Sequence, residues 1–107
     1  MKHLELIENI HQAINDNNFA LFYFSTEKCN VCKTLKPKVI EMLEEFPQVK
    51  SFYVDLEKLT EASGYFTVFS IPTILVFIEG KETLRESRNI SLREFQEKIA
   101  RYYNLLF

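Results

Sequence analysis

The residues with the clearest capacity for chemistry are two cysteines, Cys29 and Cys32, which are separated by two residues and are the only cysteines of the chain. A pair at this spacing can form a disulfide, act as two thiols or supply part of a metal site. In a reducing cytoplasm, paired cysteines are more often redox-active or metal-binding than structural. The spacing therefore points first to thiol–disulfide exchange.

The pair lies between a predicted strand and a predicted helix. The continuous apolar run Phe19–Phe24 is typical of a strand that is covered on both faces. After Cys32, apolar residues recur every three or four positions, which predicts a helix that is kinked at Pro37 and closed by Pro47. Cys29 would then lie at the start of that helix, beside unpaired backbone N–H groups and the positive end of the helix dipole.

This placement predicts different roles for the two sulfurs. A helix start can lower the pKa of a cysteine from ~8.5 into the range of ~3.5–7.5. The neighbours Lys28 and Lys33 favour the thiolate, whereas Glu27 opposes it. We therefore expect Cys29 to attack a substrate disulfide and Cys32, one helical turn further in, to resolve the mixed disulfide.

Two other uses of the cysteines remain as alternatives. A disulfide that only staples the fold would close a ring of four residues and would stabilise by about 2 kcal/mol at most. A zinc site needs four ligands, and the only histidines are His3 and His11. On one helix these two would lie about 12 Å apart along the axis, too far to share an ion. We therefore favour a redox pair without a bound metal.

The remaining pattern predicts alternating helices and strands around one sheet. Leu4, Ile7, Ile10 and Ile14 follow helical spacing and predict a first helix, and Ser91 with Glu94 forms a capping box before the last one. The other predicted elements are strands at 52–54, 73–78 and 81–88 and a short irregular helix at 56–66. Helices between strands imply parallel crossovers, whereas the turn at Gly80 implies an antiparallel pair. The prediction is an α/β fold in which a central mixed sheet is flanked by helices.

Length and composition limit the class of protein. The 107 residues carry 13 Lys+Arg and 15 Asp+Glu, a net charge of −2, and 47% are hydrophobic. We expect a single domain over 1–107. Its net charge is too small to attract nucleic acid or an anionic membrane, so we expect neither as a partner. The charged residues scattered through 1–18 are unlike a secretory signal, so we expect a cytoplasmic protein. Nothing in the sequence demands more than a monomer.

Several motifs together resemble the thioredoxin family over nearly the whole chain. They are the strand that leads into Cys29-Asn30-Val31-Cys32, Pro37 five residues later, Ile71-Pro72-Thr73 at the start of a buried strand, and Gly80 in the next turn. The resemblance implies a thioredoxin-like fold with a central mixed sheet of four or five strands. Four strands would be present if the helix that contains Leu4 replaces the first strand of the family.

The resemblance also implies a substrate site. In the family, the proline that matches Pro72 is cis and faces the sulfurs, and the peptide before it pairs with an extended substrate chain. We therefore expect Ile71 and Pro72 to bind substrate, together with Lys28, which replaces the tryptophan of the family's docking surface. The redox group would be the Cys29–Cys32 disulfide itself, with no bound cofactor.

The sequence departs from the family at several positions. Asn30-Val31 replaces Gly-Pro between the cysteines, and Arg88 stands where the family has a glycine near the substrate groove. Tyr23 takes the place of a buried aspartate and Ser51 that of its partner lysine. A tyrosine with a pKa near ~10 is no base at neutral pH, so the proton of the resolving cysteine must leave another way. Tyr23 can also be read as a core aromatic.

The leading interpretation is a cytosolic thiol–disulfide oxidoreductase that reduces protein disulfides through Cys29 and Cys32. Its electrons would come from a reductase or a thiol pool, as part of cellular electron transport and redox homeostasis. The alternative is an adaptor module of the same fold that binds a peptide at Ile71-Pro72 while its cysteines are not essential. A glutaredoxin-like preference for small thiols is a third reading, within the first class.

Overall fold

The computed structural model describes all residues from 1 to 107 and places them around one five-stranded sheet. In chain order the elements are β1 (Lys2–Leu4), α1 (Ile7–Asp16), β2 (Phe19–Ser25), α2 (Asn30–Leu43), β3 (Lys50–Asp55), α3 (Glu61–Phe66), β4 (Thr73–Ile78), β5 (Lys81–Glu86) and α4 (Leu92–Leu106). The strands lie in the order β1-β3-β2-β4-β5. β3 is parallel to β1 and β2, whereas β4 is antiparallel to β2 and β5. The predicted mixed sheet is therefore present with five strands.

The first strand corrects the prediction that helical spacing begins at Leu4. Leu4 pairs with Val54 across the β1–β3 ladder and is only 7% exposed. The backbone of Leu6 is still extended, and the helix begins at Ile7. A strand of three residues is too short to show its own period, so the buried Leu4 happened to match the spacing of the helix that follows.

The sheet separates two hydrophobic clusters, and β2 contributes to both. Every residue of β2 is buried. Phe22 and Phe24 belong to the cluster that includes side chains of α1 and α3. Leu21 and Tyr23 belong to the other cluster, with side chains of α2 and α4. The alternation of side chains along a strand explains this division and places Tyr23 on the face that carries the cysteine helix.

Three element ends differ from the sequence prediction. The segment predicted as helix from Leu56 is helical only from Glu61, because Asp55 accepts a hydrogen bond from the backbone N–H of Glu57 (2.9 Å) and begins a turn. α2 ends at Leu43, before Pro47, and β5 ends at Glu86. The predicted cap of α4 is confirmed, since the hydroxyl of Ser91 accepts from the N–H of Glu94 at 3.3 Å.

The ends of several elements meet at one edge of the sheet. β2 and β3 are parallel, so their carboxyl ends lie together at Ser25 and Asp55, which are paired in the register. The start of β4 joins them there, because Thr73 pairs with Phe24. The cysteine pair follows β2, and Ile71-Pro72 directly precedes β4. The topology thus brings the two predicted motifs to the same edge. None of the helices is both long enough and apolar enough to cross a bilayer.

Candidate active site

Cys29 is the N-cap residue of α2. Its backbone is extended (φ −83°, ψ 106°), and its N–H donates to the carbonyl of Thr26 at 3.3 Å. The Sγ of Cys29 accepts a hydrogen bond from the backbone N–H of Cys32 at 3.2 Å. The sulfur therefore faces one of the N–H groups that a helix start leaves unpaired, as the sequence predicts. The same donor can stabilise negative charge on this sulfur.

The two cysteines form a disulfide, and their Cα atoms are 5.2 Å apart. Their exposures differ: Cys32 is 1% exposed, whereas Cys29 is only partly buried. Cys29 is therefore the more accessible residue of the pair. Cys29 borders the hydrophobic cluster of α2 and α4, and Cys32 is a member of that cluster.

Tyr23, in β2, contacts Cys32 from the side of the sheet. Its side chain is fully buried, and its hydroxyl donates to the backbone carbonyl of Cys32 at 2.6 Å. Burial, with a smaller contribution from Tyr53, raises the pKa of Tyr23 from 10.0 to about 12. The hydroxyl is therefore a neutral donor near neutral pH and has no capacity to act as a base. Besides packing in the core, Tyr23 connects the first turn of α2 to the sheet through this hydrogen bond.

A second tyrosine lies beside the first. Tyr53 is the partner of Tyr23 in the β2–β3 register, and their ring centroids are 6.2 Å apart. The Nζ of Lys36 lies 4.2 Å from the centroid of the Tyr53 ring, and burial raises the pKa of Tyr53. Ser51 pairs with Leu21 and carries no charge at the position where the family has a lysine.

The segment before β4 supplies the other side of the site. The Ile71–Pro72 peptide bond is cis, as the sequence predicts, and Pro72 is buried. Ile71 packs against the same cluster as Cys29, so the fold brings the two predicted motifs together. No backbone hydrogen bond within the chain uses the N–H or the C=O of Ile71. These groups are free to pair with an extended chain.

Two exposed residues flank this region. Lys28 precedes Cys29, is exposed and forms no ion pair within the chain. Phe69 stands two residues before Ile71 and is 78% exposed, the largest exposed fraction among the large apolar side chains. The sequence reasoning missed Phe69. An aromatic residue so close to the proline motif, outside any predicted strand, was the signal that would have identified it.

The histidines have another environment. His3 lies in β1 with its ring centroid 4.5 Å from that of Tyr53, and His11 lies in α1 at 5.8 Å from Tyr65. No group of three or more His, Cys, Asp or Glu side chains could hold a metal ion. The cysteines are bonded to one another instead.

A sheet of this order, a disulfide at the start of α2 and a proline segment beside it define a thiol–disulfide oxidoreductase of the thioredoxin fold. The thioredoxin family model matches residues 4–101, and the chain therefore belongs to the thioredoxin family. The Cys29–Cys32 pair transfers two electrons as it changes between dithiol and disulfide, so the chemistry needs no bound cofactor.

Individual relatives support the same family. The chain is 32% identical over 105 residues to the thioredoxin-like protein YdfQ of Bacillus subtilis, which covers 98% of this chain and 94% of that protein. It is 31% identical over 91 residues to a thioredoxin of Chlamydia trachomatis, covering 78% of this chain and 86% of the other. Among solved structures, thioredoxin from Fasciola hepatica superposes with a TM-score of 0.84 at 28% identity, over 94% of this chain and 98% of that one.

Proposed function

We propose that this protein reduces disulfides of other proteins in the cytoplasm, with Cys29 as the nucleophile and Cys32 as the resolving thiol. The observation that carries the assignment of roles is the asymmetry of the pair. The sulfur of Cys29 is accessible and faces a backbone N–H, whereas Cys32 is 1% exposed. A thiolate at the accessible position is the group that an incoming disulfide meets first.

The first step forms a mixed disulfide. The thiolate of Cys29 attacks one sulfur of the substrate disulfide, so a bond forms between Cys29 and the substrate while the substrate S–S bond breaks. The other substrate sulfur leaves as a thiolate and takes a proton from solvent. In the disulfide form the backbone N–H of Cys32 donates to the Cys29 sulfur, and the same donor would face the thiolate in the reduced form.

The second step releases the substrate. Cys32 loses its proton and attacks the sulfur of Cys29, so the Cys29–Cys32 bond forms and the second substrate sulfur leaves. The dithiol is oxidised by two electrons and the substrate disulfide is reduced by two. A reductase or a pool of small thiols then returns the protein to its dithiol form.

The substrate chain docks on the segment before β4. The free N–H and C=O groups of Ile71 can pair with an extended backbone, which adds a short strand beside the reacting sulfur. Pro72 lies under this contact, and Phe69 offers an exposed aromatic surface next to it. Lys28 contributes positive charge next to Cys29, at the position where the family has an apolar tryptophan. In this proposal residues 1–107 act as one domain and as a monomer.

A double variant separates this function from that of an adaptor. Cys29→Ser with Cys32→Ser leaves the segment of Ile71 and Pro72 intact. We expect thiol release from an oxidised protein to stop, while binding of an extended peptide persists. Unchanged activity of the double variant in the cell would favour the adaptor reading.

The direction of exchange has its own test. Equilibration of the purified protein in graded glutathione buffers gives the midpoint of the Cys29–Cys32 couple. We expect a value near that of thioredoxin, about −270 mV, whereas a value near −120 mV would identify an oxidant.

A further inference from the structure

A cavity of about 380 Å³ lies between the start of α2 and the segment after β5. Asn30 and Val31, the two residues between the cysteines, form its near wall. Leu35 and Lys38 extend the wall along α2, and Arg88 comes from the opposite segment. Because Asn30 and Val31 lie between the two cysteines in the chain, a substrate that reacts at Cys29 passes close to this wall, whereas neither Ile71 nor Pro72 lines the cavity.

The cavity combines an apolar lining with two cations. Val31, Leu35 and Ile90 are its hydrophobic members, and no carboxylate lines it. Lys38 lies on α2 and Arg88 in the segment after β5, and both are exposed. Neither takes part in an ion pair, since the ion pairs of the molecule join Arg85 to Glu82 and Lys98 to Glu86.

Lys38 also lines a second cavity together with Glu41, Glu44 and Glu45, so Arg88 is the cation that shares no cavity with a carboxylate. Glu86 is the acidic residue nearest to Arg88 along the chain, and it is held by Lys98 at 3.2 Å. Lys28 and Lys33 flank the cysteines, and Glu27 is the opposing charge on the same loop. Two cations without ion-pair partners and three apolar side chains line the same cavity. This lining suits a side chain that has an aliphatic stem and a terminal carboxylate.

We propose that this cavity receives an acidic side chain of the substrate, a glutamate or an aspartate close to the reacting cysteine. This inference rests on the proposed function and adds a substrate class to it: protein disulfides with acidic flanking sequence. The glycine of the family at the position of Arg88 supplies no such charge, so the preference belongs to this chain. Exposed ion pairs are weak and are screened by salt, so the preference is strongest at low ionic strength.

The test compares two probes. Each is a ten-residue peptide with one cysteine, oxidised to its symmetrical disulfide; glutamates flank the cysteine in one peptide and glutamines in the other. The rate at which the reduced protein cleaves each disulfide is measured in 20 mM and in 500 mM salt. We expect the glutamate peptide to react about three- to tenfold faster at low salt, and the ratio to approach one at high salt.

Variants assign the effect to the cavity. Lys38→Gln with Arg88→Gln should bring the ratio of the two rates close to one. Lys81→Gln is the matched control, because Lys81 is exposed and starts β5 at the opposite end of the sheet. Equal rates for the two peptides with the parent protein would overturn the inference and leave the proposed function intact. Cleavage of neither peptide would overturn both.

Discussion

At the scale of single residues, the replacement of a buried carboxyl by Tyr23 changes how the second step obtains its thiolate. The phenol donates to the carbonyl of Cys32, and burial raises its pKa to about 12. It therefore holds the first turn of α2 in place but has no means of removing the proton of Cys32. That proton must pass to water or to the departing substrate sulfur, which predicts slower resolution of the mixed disulfide than in thioredoxins with an aspartate at this position.

The substitution Tyr23→Asp tests this account. A buried carboxylate at position 23 would be a base beside Cys32, and we expect it to accelerate resolution about tenfold relative to the parent, a modest share of what general bases can contribute. Stopped-flow measurement of the second step at pH 7 gives the rate. Tyr23→Asn removes the same ring without adding a base and is the matched control. Resolution no faster in the aspartate variant than in the parent would contradict the account.

The same tyrosine predicts a dependence of stability on alkaline pH. Folding raises the pKa of Tyr23 from 10.0 to about 12, so the folded state keeps a proton that the unfolded state loses. The stabilisation is fully present below pH 10 and disappears as pH rises through about 12.

Tyr23→Phe removes this contribution. We expect the free energy of unfolding of the parent to fall between pH 9 and pH 12 by about 2 kcal/mol more than that of Tyr23→Phe. Burial raises the pKa of Tyr53 in both proteins, so most of its contribution cancels in the comparison. Urea unfolding curves at several pH values provide the measurement, and parallel losses in the two proteins would contradict the expectation.

At the scale of elements, the short strand β1 completes the sheet. It pairs with β3 and buries Leu4 against the cluster of α1 and α3. Because a three-residue strand contributes few hydrogen bonds, this buried side chain is its main stabilising contact.

Leu4→Ala should therefore lower the free energy of unfolding by about 2–4 kcal/mol. Leu6→Ala is the matched control, because Leu6 is 55% exposed and its truncation should cost less than about 0.5 kcal/mol. Equal losses in the two variants, measured by denaturant unfolding, would show that β1 does not anchor the sheet.

The segment before β4 also yields a prediction. Phe69 is 78% exposed beside the free backbone groups of Ile71, so Phe69→Ser should leave stability within about 0.5 kcal/mol. We expect reduction of an oxidised protein to slow about three- to tenfold, because an aromatic contact with the substrate chain is lost. Reduction of a small disulfide should not change. Tyr65→Ser, which alters an aromatic of 64% exposure on α3, should leave both rates unchanged.

Elements with a clear apolar period or a capping residue could be predicted from the sequence. Short elements and element ends without such local signals could not. The buried strand that contains Phe22, the helix after Cys32 and the cap at Ser91 were predicted because their apolar period or capping residues are local signals. The presence of β1 was left open, as a sheet of four or five strands, because three residues show no period, and the start of α3 was predicted too early because Asp55 forms a turn. The hydrogen bond from Tyr23 to Cys32 depends on the packing of α2 against the sheet, which no local pattern encodes.

At the scale of the whole molecule, three features lie at one end of the sheet. They are the cysteine pair, the segment of Ile71 and Pro72, and the cavity lined by Lys38 and Arg88. The parallel strands β2 and β3 end there, β4 begins there, and α2 starts with Cys29 as its cap. The substrate would bind along Ile71 on one side of the disulfide and above Lys38 and Arg88 on the other. In the proposed mechanism Cys29 reacts first and the buried Cys32 second, which sets the order of the two sulfurs.

The most direct test of that order is the capture of the mixed disulfide. Cys32→Ser should accumulate a covalent complex between Cys29 and an oxidised protein, detected by mass on a gel without reductant and released by added thiol. Cys29→Ser should accumulate little or none, because the remaining sulfur is buried. Equal capture by the two variants, or capture by Cys29→Ser alone, would contradict the central claim that Cys29 is the attacking sulfur.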